Sequence, residues 1–213
     1  MKSLFTIVKN HNFDSKDITK KLIEAHKALA ELKWVANTLP NKTILTNTLS
    51  LQEAKDSSAI ENIVTTQDEL YQSNVGNKQF VSIAAKEVYS YAEALMSSYN
   101  SVKKNWIILN SDILEAQSII ERNSAGFRKI PWTELKNEKT GETVYTPPQN
   151  HEEIIQLMSD LEKYINDTKI EVDPLINVAL IHHQFESIHP FYDWNGRVGR
   201  ILNVLYIIKE WLL

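Results

Sequence analysis

A helical repeat of apolar residues between Gln79 and Tyr99 constrains the fold more than any other feature of the chain. Apolar side chains recur there every three or four residues, at Phe80, Ile83, Ala84, Val88, Tyr91 and Leu95. This spacing puts them on one face of an α-helix, so we predict a core helix. Less regular repeats of the same period fill most of the remaining sequence. The fold class we predict is therefore mainly α.

Residues that favour helix ends set the limits of the other predicted helices. Asp173 is a good N-cap and Pro174 a good first helical residue, which predicts a helix from Pro174 to about Ile188. Further helices are predicted after Asp14 or Ser15, from Leu49 to Ile60, after Thr65-Thr66, from Ser111, from Glu152 and from about Asn195. We expect these helices to pack as a bundle.

The segment from Phe127 to Pro148 does not follow the helical period. Two pairs of β-prone residues flank a turn at residues 139–141, and they are Ile130 with Trp132 and Val144 with Tyr145. This arrangement predicts two short strands joined as a β-hairpin. Pro147-Pro148 excludes a helix directly after it.

One internal boundary is predicted, around Gly76-Asn77. It separates an N-terminal helical region, residues 1–76, from the main bundle, residues 77–213. The chain stops at Trp211-Leu212-Leu213, inside an apolar helical run. We therefore expect the bundle to be truncated at its C-terminus.

Composition excludes several classes of function. The net charge of −4 and the pI of about 5.9 provide no general positive field for binding nucleic acid or anionic membranes, so a polyanion needs a local site. The absence of cysteine excludes disulfides and thiolate metal sites and suits a cytoplasmic protein. No stretch is long and apolar enough to cross a bilayer. The oligomeric state, a homo-oligomer included, is left open.

The loop between the last two predicted helices combines residues that bind phosphate. A helix start exposes unpaired main-chain N–H groups, and Gly196 allows an anion to approach them closely. The side chain of Asn195 can add a donor. Arg197 and Arg200 are one turn apart, so both can face the same anion.

Three more residues of this loop have predicted roles. Asp193 is a hard oxygen ligand of the kind that Mg²⁺ bridging nucleotide phosphates needs. His189 can be neutral near pH 7 and accept a proton from an attacking hydroxyl. Phe191 is expected to point inward and anchor the loop.

The run from His189 to Arg200 resembles the signature His-Pro-Phe-x-Asp/Glu-Gly-Asn-Gly-Arg-x-x-Arg of the Fic family. The resemblance extends upstream through residues 183–188 and to the hairpin, which lies where the family has a target-docking flap. It implies a mainly helical fold and transfer of AMP from ATP to a Ser, Thr or Tyr hydroxyl of a target protein, or of the chain itself.

The resemblance also implies a role for each matching residue. His189 would be the general base and Asp193 the Mg²⁺ ligand, while Arg200 would hold the terminal phosphate. The phosphate cradle would be formed by Asn195, Gly196 and Arg197.

A second motif resembles an inhibitory helix found in part of the same family. Residues 57–62 match Ser/Thr-x-x-x-Glu-Gly/Asn through Ser57, Glu61 and Asn62. The resemblance implies that Glu61 pairs with Arg200 and occupies the donors that the terminal phosphate of ATP needs. We therefore expect an autoinhibited enzyme.

Trp194 is the one departure from the signature, since the family has glycine there. If that position requires a positive φ or a close approach to phosphate, tryptophan would impair the site. A degenerate module that binds nucleotide or a partner without turnover is therefore an alternative, as is transfer of UMP or a phosphoryl group. A metal site at His182, His183 and His189 is disfavoured because His182 and His183 point in different directions on a helix.

Overall fold

The computed structural model describes residues 3–40, 42–73, 79–137 and 139–210, apart from the side chains of residues 42–45. Within these ranges the chain forms nine helices and two strands. The helices are α1 Leu4–Asn10, α2 Lys16–Thr38, α3 Lys42–Ile60, α4 Gln67–Gln72, α5 Ile83–Asn105, α6 Asn110–Glu121, α7 His151–Ile165, α8 Pro174–Ile188 and α9 Asn195–Lys209. The strands are β1 Leu135–Lys136 and β2 Thr143–Tyr145. The predicted fold class is confirmed.

Helix α5 is at the centre of the bundle, where it packs against α3, α6 and α9. Its buried face includes Val88, Tyr91 and Leu95, as the apolar repeat predicts. Ile83 is the exception and is 78% exposed. Ser82 caps the helix by accepting the Ala85 N–H, so Ile83 is the first helical residue and lies beyond the covered part of that face.

Two helices differ from their predicted limits. α3 begins at Lys42 rather than at Leu49, because no glycine or proline between these positions interrupts it. α1 was not predicted, since a helix this short gives no clear periodic signal. Tertiary contacts stabilise it: Leu4 is buried, and the Phe5 ring packs edge-on against Tyr164 with the ring centroids 5.3 Å apart.

Local features define where α8 begins and ends and where α9 begins. Oδ1 of Asp173 accepts a hydrogen bond from the Leu175 N–H (2.9 Å), and Pro174 is the first helical residue. α8 ends at Ile188, and α9 begins at Asn195 after Trp194 in its N-cap position. Because α8 packs against α9, the loop between them is held at one end of both helices.

The predicted hairpin is present but its strands are short. Leu135 pairs with Tyr145 and Lys136 with Thr143, and the register is irregular between the two pairs. Gly141 has φ 73°, a turn conformation that glycine adopts without strain. Ile130 and Trp132 lie before β1, not within it.

Two predictions about chain organisation fall outside the described residues. The boundary at Gly76-Asn77 lies within residues 74–78, and the apolar end lies within residues 211–213. In the part of the chain that is described, no helix has the length and apolarity needed to span a membrane.

Candidate active site

The candidate site is formed where α8 gives way to α9. His189 is the C-cap of α8, with φ 49° and ψ 61°, and its N–H donates to the Phe185 carbonyl oxygen (2.9 Å). A left-handed main chain is uncommon for a residue with a Cβ, and it persists only when its surroundings hold it. This turn ends α8 and directs the chain toward α9.

The environment of His189 favours the neutral imidazole. Burial is the main cause that lowers the pKa of His189, and the positive charge of Arg128 acts in the same direction. The Glu186 main chain and the Asp193 carboxylate oppose this lowering of the pKa without reversing it. A neutral ring can accept a proton near pH 7.

The side chain of Asn195 closes the loop between the helices. Its Oδ1 accepts a hydrogen bond from the Phe191 N–H (2.9 Å), and its Nδ2 donates to the Phe191 carbonyl oxygen (2.9 Å). Phe191 is fully buried, with its ring against Phe127 and Phe185. Asn195 was predicted to offer a side-chain donor to phosphate, but this amide faces the core and is 2% exposed. The main-chain N–H of Asn195 is the group that the helix start presents.

An anion position lies at the start of α9. The first main-chain hydrogen bond of this helix runs from Val198 to Trp194 (3.0 Å), so the N–H groups of residues 195–197 precede it. Such groups, together with the helix dipole, favour negative charge. A Cβ at Gly196 would lie 2.5 Å from Oε1 of Glu61. The Glu61 carboxylate therefore occupies the space that the missing side chain leaves open.

Arg200 holds this carboxylate in place. Its Nε donates to Oγ of Ser57 (2.5 Å), and its Nη2 donates to the Ser57 carbonyl oxygen (3.0 Å) and to Oε1 of Glu61 (2.8 Å). The Arg200 side chain is 18% exposed and the Glu61 side chain 42%. The structure thus brings Ser57 and Glu61 of the inhibitory motif into contact with Arg200 of the signature, which is more than 130 residues away in sequence.

Asn62 ends the helix that carries this motif. α3 stops at Ile60, and Asn62 has φ 61° while its N–H donates to the Ala59 carbonyl oxygen (3.1 Å). Glycine and asparagine adopt this left-handed conformation most readily, which explains why either suits the end of the motif. The turn leaves Glu61 beyond the helix, facing α9.

Arg197 has contact partners that differ from those of Arg200. Its guanidinium carbon lies 3.1 Å from the centroid of the Trp194 ring, and its Nη1 is 3.4 Å from Oε2 of Glu87. Its side chain is only 4% exposed. The two arginines thus have different contacts in this structure, since Trp194 and Glu87 bind Arg197 while α3 binds Arg200. The Glu61 carboxylate also acts electrostatically on Arg197, and the expectation that both arginines serve one anion stays a prediction.

Trp194 occupies a position that suits glycine. Its φ of 71° and ψ of 8° are left-handed, and this conformation costs a residue with a Cβ about 1–2 kcal/mol. Stacking of its ring on Arg197 offsets part of that cost. The ring also covers one face of a predicted phosphate ligand.

Asp193 is exposed beside this cradle, and its Oδ1 accepts the Trp194 N–H (2.7 Å). No three or more His, Cys, Asp or Glu side chains converge on one point within the described ranges. Mg²⁺ bound to nucleotide needs no such group, because it keeps several waters and takes one or two carboxylates plus phosphate oxygens. The exposed carboxylate fits that kind of site.

Glu186 and His182 add ionisable groups to which the sequence assigned no role in the site. A Cβ at Gly199 would lie 2.7 Å from Oε1 of Glu186 and 3.2 Å from Nδ1 of His182. Burial raises the pKa of Glu186 to about 7, Glu61 adds to this, and Arg200 opposes it. Burial likewise lowers the pKa of His182. Glu186 therefore titrates near neutrality beside Arg200.

Tyrosines join the loop and α8 to the hairpin region. The phenol oxygen of Tyr192 accepts the N–H groups of Lys129 (2.8 Å) and Ile130 (3.0 Å). The Tyr145 phenol donates to the Ser187 carbonyl oxygen (3.0 Å). These contacts fix the hairpin, which we call the flap, beside His189.

Sequence reasoning missed four residues that form this site: Glu87, Arg128, Glu186 and Tyr192. A weak pattern could have indicated Glu186, because it lies four residues after His182 and therefore on the same face of α8. The other three contact groups contributed by distant parts of the chain, and no local pattern predicts such contacts.

The architecture and this loop define a helical-bundle protein with an anion site at a helix start. The model described as Fic/DOC family matches residues 107–207, and the model described as Fic/DOC family N-terminal matches residues 19–100. Together they cover most of the chain. The protein belongs to the Fic/DOC family, which confirms the resemblance seen in the signature.

Two curated relatives share 30% identity with this chain over 64 residues, and both are called protein adenylyltransferase fic-1. They come from Caenorhabditis elegans and Caenorhabditis briggsae, and the match covers 30% of this chain. It spans only 13% of the length of either relative.

Solved structures share the fold. A Fic-domain signaling protein from Bacteroides thetaiotaomicron matches with a TM-score of 0.72 and 20% identity over 87% of this chain and 72% of its own. A Fic family protein from Desulfovibrio desulfuricans matches with a TM-score of 0.66 and 23% identity over 90% of this chain and 57% of its own. Fic-1 from C. elegans matches with a TM-score of 0.69 and 20% identity over 92% and 59% of the respective chains.

Replacing Glu186 by Gln should change how stability depends on pH. The folded pKa of Glu186, about 7, lies above its usual value of 4.5, so the unfolded chain ionises first and the native state loses stability as pH rises through that window. We expect Glu186→Gln to remove roughly 2 kcal/mol of this loss in the free energy of unfolding. Urea unfolding of the parent and of Glu186→Gln at about pH 5 and about pH 8.5 measures this difference in the free energy of unfolding.

The exposed Glu31→Gln in α2 is the matched control, and its pH dependence should follow that of the parent. Parallel curves for the parent and Glu186→Gln would show that Glu186 ionises normally in the folded state.

Proposed function

We propose that the protein is an adenylyltransferase that moves AMP from ATP to a hydroxyl of a target protein or of its own chain. The observation that carries the proposal is the anion position at the start of α9, where the carboxylate of Glu61 lies over Gly196 and is bound by Arg200. A site that binds one anion internally can bind a phosphate in its place. The adenylyltransferase relatives support AMP as the transferred group.

His189 would act as the general base. Its neutral imidazole would accept the proton of the target hydroxyl as the hydroxyl oxygen bonds to the α-phosphorus. The bond from that phosphorus to the bridging oxygen breaks, and pyrophosphate leaves with the electron pair. The product is a phosphodiester between AMP and the target residue.

The groups around the start of α9 would bind the phosphates. The free N–H groups of residues 195–197 and the close approach at Gly196 suit phosphate oxygens, and Arg200 suits the terminal phosphate. Asp193 would hold a Mg²⁺ ion, which neutralises phosphate charge when bound. In this proposal Arg197 contributes only once it leaves Glu87.

The resting state would be inhibited. Glu61 and Ser57 together occupy donors of both Nε and Nη2 of Arg200. A terminal phosphate needs these same donors, and it would be repelled by the Glu61 carboxylate. ATP then binds without its proper alignment, and transfer is slow.

Replacing His189 by Ala tests the base. We expect AMP transfer from α-labelled ATP to fall by about 10²- to 10⁴-fold, because no other group would take the hydroxyl proton. Label transfer is measured in the Glu61→Gly background by autoradiography and mass spectrometry. Label from γ-labelled ATP should stay off the protein, and α-labelled UTP should transfer none.

His183→Ala is the control, since His183 is exposed on the same helix and should be dispensable. Undiminished transfer by His189→Ala would remove His189 from the base role, and protein labelled by γ-labelled ATP would indicate phosphoryl transfer instead.

Replacing Glu61 by Gly tests the inhibition. We expect the initial rate of AMP transfer to rise roughly tenfold or more at matched ATP and Mg²⁺, because Nη2 of Arg200 is released from Glu61 and the carboxylate that would repel the phosphate is gone. The same substitution at Glu171, an exposed loop carboxylate, should leave the rate unchanged. An active protein whose rate is the same with and without Glu61 contradicts autoinhibition.

One observation favours a second candidate, a module that binds nucleotide without turnover. Trp194 covers the Arg197 guanidinium, which reduces the access of phosphate to that side chain. ATP binding by Glu61→Gly without any label transfer would select this candidate. Transfer that appears only when Trp194→Gly is added would identify the tryptophan as the cause.

A further inference from the structure

Arg128 is fully buried, and no carboxylate of the described residues forms an ion pair with it. A buried cation without a countercharge is costly, and burial accordingly lowers the pKa of this guanidinium. Apolar residues of similar volume often stabilise a protein core as well as buried charged residues do, or better. The presence of arginine at this position therefore needs an explanation other than packing.

The Nε and Nη2 donors of Arg128 are directed at main-chain carbonyls, whereas its buried Nη1 has no hydrogen-bond partner among the described residues. Its Nε donates to the His189 carbonyl oxygen (2.7 Å), and its Nη2 donates to those of Ile188 (3.4 Å) and Pro148. Its main-chain N–H donates to the Pro190 carbonyl oxygen (2.8 Å). Three consecutive carbonyls, of residues 188–190, are thus held by one residue.

These carbonyls lie at the end of α8, where a helix leaves its last C=O groups without intrahelical partners. The same end carries the negative pole of the helix dipole, which a cation stabilises. The peptide dipoles therefore supply the negative charge that no carboxylate provides. The planar guanidinium can contact several oxygens in fixed directions, whereas a lysine ammonium is a single point charge.

The main chain around Arg128 is itself fixed by hydrogen bonds to two other side chains. Nδ1 of His151 lies 2.9 Å from the Arg128 carbonyl oxygen, and Tyr192 binds the next two main-chain N–H groups. Arg128 thereby connects the base of the flap, through Pro148, to the left-handed turn at His189. That turn is uncommon for a non-glycine residue and needs such restraint.

We propose that Arg128 is a positioning residue that fixes the main chain of His189, so that the imidazole meets the target hydroxyl in the geometry for proton transfer. This proposal rests on the proposed adenylyl transfer. Arg128 touches neither ATP nor the hydroxyl and acts only through the loop. A small displacement of a base can slow a reaction by about 10²-fold.

The positive charge of Arg128 gives this role an electrostatic signature. It opposes protonation of His189, as burial does, while the Asp193 carboxylate and the Glu186 main chain favour protonation. Arg128→Gln removes both the charge and the directed contacts. Arg128→Lys keeps the charge but cannot reproduce the contacts. The two variants therefore separate positioning from charge.

The experiment compares these variants in the Glu61→Gly chain, with Arg122→Lys as the control. Arg122 donates a hydrogen bond to Ser90 on α5 rather than to the loop that carries His189, so its replacement should leave kcat unchanged. We expect Arg128→Lys to lower kcat roughly 10- to 100-fold while the KM for ATP changes less than about twofold. The acidic limb of the pH profile should move to higher pH in Arg128→Gln and stay in place in Arg128→Lys.

The proposal is overturned if kcat of Arg128→Lys falls no more than kcat of Arg122→Lys. It is also overturned if neither Arg128 variant folds, since Arg128 would then be a structural residue only. NMR of the His189 main-chain amide and ring separates this proposal from the proposed function, because it needs no turnover. If no transfer is detected in any variant, shifts of these His189 signals in Arg128→Lys as well as in Arg128→Gln, absent from Arg122→Lys, support the proposal. His189 signals that are unchanged in Arg128→Lys overturn it.

Discussion

The contact between Glu61 and Arg200 joins the N-terminal helices to the loop that carries the chemistry, and the rest of the site is arranged around it. The start of α9 presents main-chain N–H groups that favour an anion, and Glu61 supplies one. Ser57, one turn earlier on α3, binds the same guanidinium. The left-handed turn at Asn62 ends the helix so that Glu61 reaches this place. In the proposed function, inhibition and substrate binding would compete for one set of donors.

The charged groups near this position differ in how far they are buried, and burial sets which of them ionise readily. Asp193 is exposed and suited to a cation, whereas Glu186 is enclosed beside Arg200 and titrates near neutrality. A fully ionised Glu186 would compete with Glu61 for Arg200 and would repel a phosphate. On the far side of the loop, Arg128 donates to peptide carbonyls, and no carboxylate of the described residues forms an ion pair with it. The site therefore keeps His189 neutral between a buried cation and an exposed anion.

Local features of the sequence predicted local features of the structure. Asp173 and Pro174 predicted the start of α8, Thr66 caps α4, and the 139–141 turn predicted the hairpin, because each depends on neighbouring residues. The pairing of Glu61 with Arg200 came from the motif resemblance, and the structure places the two in contact. That prediction was possible because both motifs are short and continuous.

The remaining site could not be predicted because it depends on contacts distant in sequence. Arg128 binds carbonyls of residues 60 or more positions away, and carbonyl groups give no sequence signal. Helical spacing alone suggested that Arg197 and Arg200 would face one anion. The spacing could not reveal that Glu87 of α5 and the Trp194 ring would bind the first of them. Asn195 likewise has a side-chain donor that could bind phosphate, but both polar atoms of its amide bind the main chain of Phe191 and close the loop.

Whether Glu61 takes the place of the terminal phosphate is decided most directly by comparing ATP with ADP. The dissociation constants of both nucleotides are measured by calorimetry with Mg²⁺, with and without Glu61→Gly, in the His189→Ala chain so that no AMP is transferred. We predict that Glu61→Gly tightens ATP binding roughly tenfold and ADP binding less than about twofold, because only ATP carries the phosphate that Arg200 would bind. An equal gain for both nucleotides, or none for either, would contradict the account.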